Sequence, residues 1–306
     1  MSRNATKDLT TGSPMKLILG FGIPLLFGML FQQFYNMMDT IIVGKFLGVS
    51  ALASVGATGS INFMIIGFCM GVCNGFAIPV AQRFGAKDEH GMRKFVANSV
   101  WLSIIFAVVM AVLVCVFCRQ ILELMNTPED IIDGSYSYIF VIFLGIPATY
   151  MYNLLSGIMR SLGDSKTPLY LLIFSSILNI ILDLLSIIVL KMGVAGAAWA
   201  TVIAQAVSGF CCLGVIWKKF PILHVQREEW QPDKLCILNL CNMGIPMGLQ
   251  YSITAIGSVI IQAAVNSLGS VAVASVAAAV KINMFLCCPY DAMGSTMATY
   301  AGQNVG

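Results

Sequence analysis

Asp39 and Asp183 are carboxylates set inside otherwise apolar stretches, and Asn179 stands one helical turn before the second. An ionised side chain in the middle of a bilayer costs about 3 kcal/mol or more, so such residues mark ion or substrate paths by default. Gln32, Asn36 and Asp39 follow i, i+4, i+7 and share one helix face; Asn179 and Asp183 share a face on another helix. Together with the hydroxyl of Thr201, two carboxylates and an amide suit a proton or a hard cation such as sodium, which takes oxygen ligands as other hard ions do. Buried Asn, Gln and Thr also act as interhelical hydrogen-bond glue, worth ~0.6 kcal/mol each. A carboxylate is a poor choice for that role, because Asn would fill it without the desolvation cost of a charge.

The elements that must position these groups are membrane helices. Of 306 residues, 58% are hydrophobic and 10% charged, and the mean hydropathy is +0.87. A soluble domain of this length needs far more charge to cover its surface. The net charge of +3 has no clustered basic face behind it, which excludes nucleic-acid binding. Windows of about 20 apolar residues, enough for a ~30 Å hydrocarbon core, fall at 17–44, 52–80, 95–117, 135–159, 168–190, 194–217, 237–266 and 271–299. The fold class expected is therefore an all-α polytopic membrane protein. The first window is too long for a signal peptide and lacks a small-residue cleavage site, so it reads as a retained span. Ser13-Pro14, Thr127-Pro128 and Thr167-Pro168 each place a hydroxyl before a proline at an expected helix start.

Basic residues settle the expected orientation. The N-terminus and the second, fourth and sixth loops hold thirteen lysines and arginines, among them Arg83, Arg93, Lys94, Arg160 and Lys166; the other side holds Lys45, Arg119 and Lys191. Positive residues stay cytoplasmic, which predicts a cytoplasmic N-terminus. In that topology Asp39, Asp183 and Thr201 each lie six to eight residues from an outer helix end, roughly 9 to 12 Å deep.

The chain also repeats itself. The segment from Leu47 to Asn62 aligns at an offset of 221 with Leu268 to Asn283, and the same offset pairs Gln82 with Gln303 and Gly85 with Gly306. Gly22-Ile23-Pro24 pairs with Gly244-Ile245-Pro246 at 222. This reads as a duplicated six-helix unit, and an even helix count gives both copies the same orientation about an axis along the membrane normal. The organisation expected is a six-helix lobe at 1–217, a cytoplasmic connection at 218–235 and the first two helices of a second lobe at 236–306, with about four further spans belonging to the whole. Asp39 aligns with Ile260 or Ile261, so the carboxylate site belongs to the first copy alone.

Gly22-Ile23-Pro24, the run from Gln33 to Gly48, Ala81 to Ala86, Arg160 to Asp164 with Lys166-Thr167-Pro168, Asn179 to Asp183, Gly196 to Thr201 and Ala301 to Asn304 together resemble the multidrug and toxic compound extrusion (MATE) family. The resemblance implies two six-helix lobes around a central cavity and export of amphipathic, often cationic compounds in exchange for H+ or Na+. It also implies that Asp39, Asn179, Asp183 and Thr201 form the coupling site, with Tyr138 and Asn153 of helix four as polar support. Gln32 and Asn36 are further candidates for polar support or substrate contact. Another branch of the family uses a glutamate in helix seven, but span seven here holds no acid.

Pro24, flanked by Gly20, Gly22 and Gly28, is a candidate bending point or a static kink. Gly67, Gly71 and Gly75 form a stripe for close helix contact. Lys281 and Asp291 within span eight are candidates for touching substrate or ion. The ten cysteines have no metal-ligand partners and read as free thiols, and His90 and His224 fall in loops, so no enzyme active site and no cofactor are expected. The partners expected are small amphipathic molecules and the lipid bilayer, with the chain a monomer in the cell membrane. The competing reading is a flippase for lipid-linked sugars or peptidoglycan precursor, which calls for a more basic cavity.

Overall fold

The computed structural model describes residues 6–125, 127–266 and 270–306. Among these the regular structure is helical, with no strand. The chain runs α1 (Pro14–Leu47), α2 (Val49–Ala57), α3 (Gly59–Gly85), α4 (Glu89–Val116), α5 (Cys118–Leu124), α6 (Glu129–Leu144), α7 (Ile146–Ser161), α8 (Lys166–Leu184), a π-helical turn (Leu185–Val189), α9 (Gly193–Lys219), α10 (Lys234–Asn266) and α11 (Ser270–Val305). Five of these elements, α1, α3, α4, α8 continued through its π turn, and α9, are long and apolar enough to cross a membrane, and α6 with α7 makes a sixth, bent span. α10 and α11, at 33 and 36 residues, are longer than the ~20 residues a crossing needs.

Two of the expected spans are broken. The second divides at Thr58 into the short α2 and the long α3. The fourth bends by 46° between α6 and α7 at Gly145-Ile146-Pro147, where proline cannot donate to the carbonyl four residues back. The expected hydroxyl-proline caps are also corrected. Ser13 stands at the N-cap of α1 with Pro14 at its first position, as expected, but makes no side-chain cap hydrogen bond, and Pro128 is itself the N-cap of α6. α8 starts at Lys166 with Ser165 at its N-cap, and Asp164 just before it satisfies the first turn, its Oδ1 accepting from the backbone N–H of Lys166 and of Thr167, both at 3.0 Å.

The core runs through α3, α4, α6, α7 and α9, while rows of large apolar side chains on α1, α4 and α8 such as Phe27, Ile105 and Ile181 stay exposed. In a bilayer those faces meet lipid, which removes any need for a polar exterior. All ten cysteines are free. α3 and α10 meet backbone to backbone: a Cβ on Gly71 would stand 2.5 Å from the Met247 carbonyl oxygen, and one on Gly75 would stand 2.5 Å from Gly244 Cα. The sequence offset reappears as reciprocal contact. A Cβ on Gly85 would collide with the backbone of Gln303, and one on Gly306 with the backbone of Gln82. Leu268 and Gly269 of the repeat lie outside the described residues.

Between α9 and α10, the connection is strapped to the start of α4. Glu229 accepts from Arg93 Nε (2.9 Å to each oxygen), from the backbone N–H of Gln226 (2.8 Å) and from His90 Nδ1 (2.9 Å). Lys94 donates to Asp233 (3.1 Å), and Trp101 donates to the Trp230 carbonyl (3.1 Å). Burial works against the charge of Glu229, but these donors outweigh it and hold its carboxyl below the usual range. The backbone N–H of Cys236, Lys94 and the backbone N–H of Leu235 do the same for Asp233.

Candidate functional site

α1 packs against α8 and α9, and this brings Asp39, Asn179, Asp183 and Thr201 together in the first copy of the repeat. Thr201 is the hub. Its hydroxyl donates to the Ala197 carbonyl one turn back (3.1 Å), so its lone pairs are left to accept, from Asn179 Nδ2 at 3.2 Å and from the Tyr35 hydroxyl at 3.3 Å. Because Thr201 has no second proton to give, Asn179 must present its Nδ2 there and turn its Oδ1 the other way. That Oδ1 is buried and unpartnered, as are both oxygens of Asp183 and Oδ1 of Asp39. The two carboxyl groups lie within charge range of each other. Asp183 is 0% exposed.

Four buried acceptors with no donor among the described residues form a site short of positive charge. Each unmet buried acceptor costs about 1–3 kcal/mol, and more when it is ionised. A proton on the carboxyl pair or a small hard cation among these oxygens removes that cost. Oxygen-only ligands exclude a preference for soft metals, and no group of three His, Cys, Asp or Glu side chains among the described residues is arranged to hold a metal.

The remaining sequence candidates divide. Tyr138 on α6 is buried and within charge range of Asp39, Asp183 and Tyr35. Gln32 lines a narrow crevice beside Thr201 together with Tyr35, Ser175 and Gln205. Asn36 is exposed, and its carbonyl accepts from Thr40. Asn153 turns back on its own helix, donating to the Thr149 carbonyl (2.8 Å). Pro24 lies inside α1, which stays helical through it.

Three features escaped the sequence reading. Tyr35 stands four residues before Asp39 and so shares its face. That spacing was a usable signal, masked because a tyrosine in an apolar helix looks like packing. Gln205 stands one turn after Thr201, and its buried Oε1 is also unpartnered. The π turn begins two residues after Asp183, and Ser186 donates to the Asp183 carbonyl at 3.2 Å; π turns concentrate at functional sites.

Residues 24–185 match the MatE family model. The chain is 30% identical, over 98% of its length, to "Probable multidrug resistance protein YpnP" of Bacillus subtilis (strain 168), and covers 67% of that protein. It is 25% identical to "Multidrug export protein MepA" of Staphylococcus saprophyticus, over 89% of the chain and 60% of that relative. A solved outward-facing multidrug resistance MATE family transporter of the MOP superfamily superposes with a TM-score of 0.90 at 25% identity, over 99% of this chain and 67% of that one. The chain thus spans about two thirds or less of the length of the relatives it matches.

Proposed function

Because the chain belongs to the MatE family of multi-pass membrane proteins, we propose that it forms the ion-coupling part of a secondary multidrug antiporter. The transporter exports amphipathic, mostly cationic compounds across the cell membrane in exchange for H+ or Na+. The carrying observation is the set of unpartnered buried oxygens on Asp39, Asn179 and Asp183. A cation entering from outside neutralises the pair and favours the conformation that releases drug, while drug binding favours the converse. The affinity difference between the two states sets how far either ligand shifts them.

In this reading the N-terminus is cytoplasmic, residues 1–217 form the coupling lobe and the second lobe starts near 236. The strapped connection from Pro221 to Asp233 travels with the coupling lobe, and the missing backbone donor at Pro24 gives α1 a place to bend. The coupling acids and the named multidrug relatives support export, and no observation favours the flippase.

Ethidium movement in proteoliposomes of the full-length protein, under imposed sodium or pH gradients, tests the proposal. Wild type should move dye against its gradient with one of the two ions, and Asp183→Asn should not, while remaining folded. Wild-type export by Asp183→Asn would overturn the coupling assignment. The absence of gradient-driven movement in folded wild type would overturn the export reading.

A further inference from the structure

Ahead of α1, residues 6–12 cross the ends of both copies of the repeat. The backbone N–H of Lys7 donates to the Leu162 carbonyl just past the end of α7 (2.9 Å). Two residues on, the N–H of Leu9 donates to Gln303 Oε1 on α11 (2.9 Å), and Asn304 Nδ2 donates to the Leu9 carbonyl (3.3 Å). The Leu9 side chain is buried in a small cluster with Phe21 and Leu25 of α1, against which Tyr300 of α11 packs. Asp8 fixes the turn, its Oδ1 accepting from the backbone N–H of Thr10 (2.8 Å). One short segment is thus tied to the first copy at Leu162 and to the second at Gln303.

Gln303 closes the same junction from the other side. It is 1% exposed, and its Nε2 donates to the Ser161 carbonyl at 2.7 Å, so both ends of one buried amide are engaged. α7 runs to Ser161, which makes Arg160, counted in the sequence as a loop charge, its penultimate residue, with Nη2 donating to Asn74 Oδ1 (3.2 Å). Of the two ionisable candidates on α11, Asp291 stands well before Gln303 in the helix, and the side chain of Lys281 lies outside the described residues. The segment ahead of α10 differs: Glu229 and Asp233 tie it to Arg93 and Lys94 of α4, within the first copy, and so are indifferent to the gap between the copies.

The proposed topology places this end in the cytoplasm, and here the copies touch backbone to backbone, Gly85 against Gln303 and Gly306 against Gln82. For a path to open to the cytoplasm, α7 and α11 must separate, which breaks the bond between Gln303 and Ser161. Two residues of extended chain span at most about 7 Å, so the step from Lys7 to Leu9 cannot keep both ties as the copies part. The freed polar groups then meet water, but Leu9 leaves its cluster for water as well, at a cost that grows with the apolar area exposed.

We propose that residues 6–12 are a clasp that holds the cytoplasmic ends of the two copies together and sets the population of the outward-open conformation. This rests on the export reading for the existence of two conformations, and adds to it a device at the end opposite the coupling pair. Leu9 and Gln303 work by weighting one conformation against the other.

The test is the distance between the copies in the purified full-length protein, without any ion gradient, by double electron–electron resonance. Because the ten cysteines are free, the spin labels are carried on ketone-bearing amino acids placed at Lys166 of α8 and Val305 of α11, both exposed. Wild type should show mainly the short distance. Leu9→Ala and Gln303→Ala should each raise the ratio of long to short distances by about tenfold or more, the scale of a buried leucine side chain or of a buried amide with two partners. A short-distance peak at the wild-type position shows that a variant is folded. Leu122→Ala, a core deletion on α5 inside the first copy, should lower thermal stability and leave the ratio within about twofold.

A wild type already spread over long distances, a ratio unmoved in Leu9→Ala, or an equal shift in Leu122→Ala would each overturn the proposal. A shift in Gln303→Ala with Leu9→Ala like wild type would assign the closure to the bond between Gln303 and Ser161 and remove the clasp. The distances need no transport, so unmoved ratios with intact gradient-driven export overturn the clasp alone. Shifted ratios in a protein without export overturn only the antiport.

Discussion

Two carboxylates in this molecule are almost equally buried, Glu229 at 1% exposed and Asp183 at 0%, yet their surroundings are opposite. Glu229 is held by Arg93, His90 and the Gln226 backbone, and both its oxygens are satisfied. Asp183 faces Asp39, and neither of its oxygens has a donor among the described residues. Burial alone therefore does not distinguish a structural acid from a working one; the distinction lies in whether the protein itself supplies the positive partner. Glu229 stabilises the fold because its partners are built in. Asp183 has no built-in partner among the described residues, and in the coupling role proposed above a proton or cation supplies it.

The comparison is broken most sharply by exchanging what each residue loses. Asp183→Asn should reduce gradient-driven ethidium export by about 100-fold or more, the loss expected when an essential ionisable group is removed, while leaving stability equal or higher because a buried charge without partners has gone. Proteoliposome flux and thermal unfolding of one preparation check both halves, and a large stability loss would place Asp183 with Glu229. Glu229→Ala should do the reverse. It leaves Arg93 and His90 without their acceptor and should cost about 3 kcal/mol of stability, with export per folded molecule unchanged.

Acid should separate the two regions by a smaller margin. Glu229 and Asp233 are held below their unfolded-state values of about 4.3 and 3.9. Their contribution is therefore complete above those values and is lost as pH falls through the lower folded-state ones. Hydrogen exchange in residues 220–233 should accordingly stay slow at pH 5 and above and rise below about pH 4. Protection that persists to pH 2 would show that other contacts hold the connection. The smallest effect belongs to Tyr35→Phe. It removes one of two donors to Thr201 and leaves the carboxyl pair in place, so ion affinity should weaken by only a few-fold.

Much of this was legible in the sequence because the bilayer makes charge conspicuous. Asp39 and Asp183 stand out in apolar runs, and the helical period gives their faces and those of Asn179 and Gln32. The same period set Asn36 beside Asp39, but that side chain is exposed. The interruption at Gly145-Ile146-Pro147 was written in the proline, yet an apolar window smooths over it. Glu229 was illegible for the opposite reason: an acid in a charged loop looks solvated, and only the docking of that loop onto the start of α4 buries it. Arg160 was misplaced by similar logic, since a basic residue near the end of a span counts as a loop charge until the facing helices are in place. The repeat was visible as an offset of 221, and its reciprocal glycine contacts required both copies to be folded together.

The central claim is that the Asp39 and Asp183 pair takes up the coupling cation, and thermal stability titrated with sodium and with protons tests it most directly. A ligand that binds only the folded state raises stability with its concentration. Wild type should be stabilised progressively by one of the two ions, the effect should vanish in Asp183→Asn and in Asp39→Asn, and it should persist in Glu229→Gln. An ion-dependent stabilisation that survives in Asp183→Asn would contradict the claim and move the coupling site elsewhere in the protein.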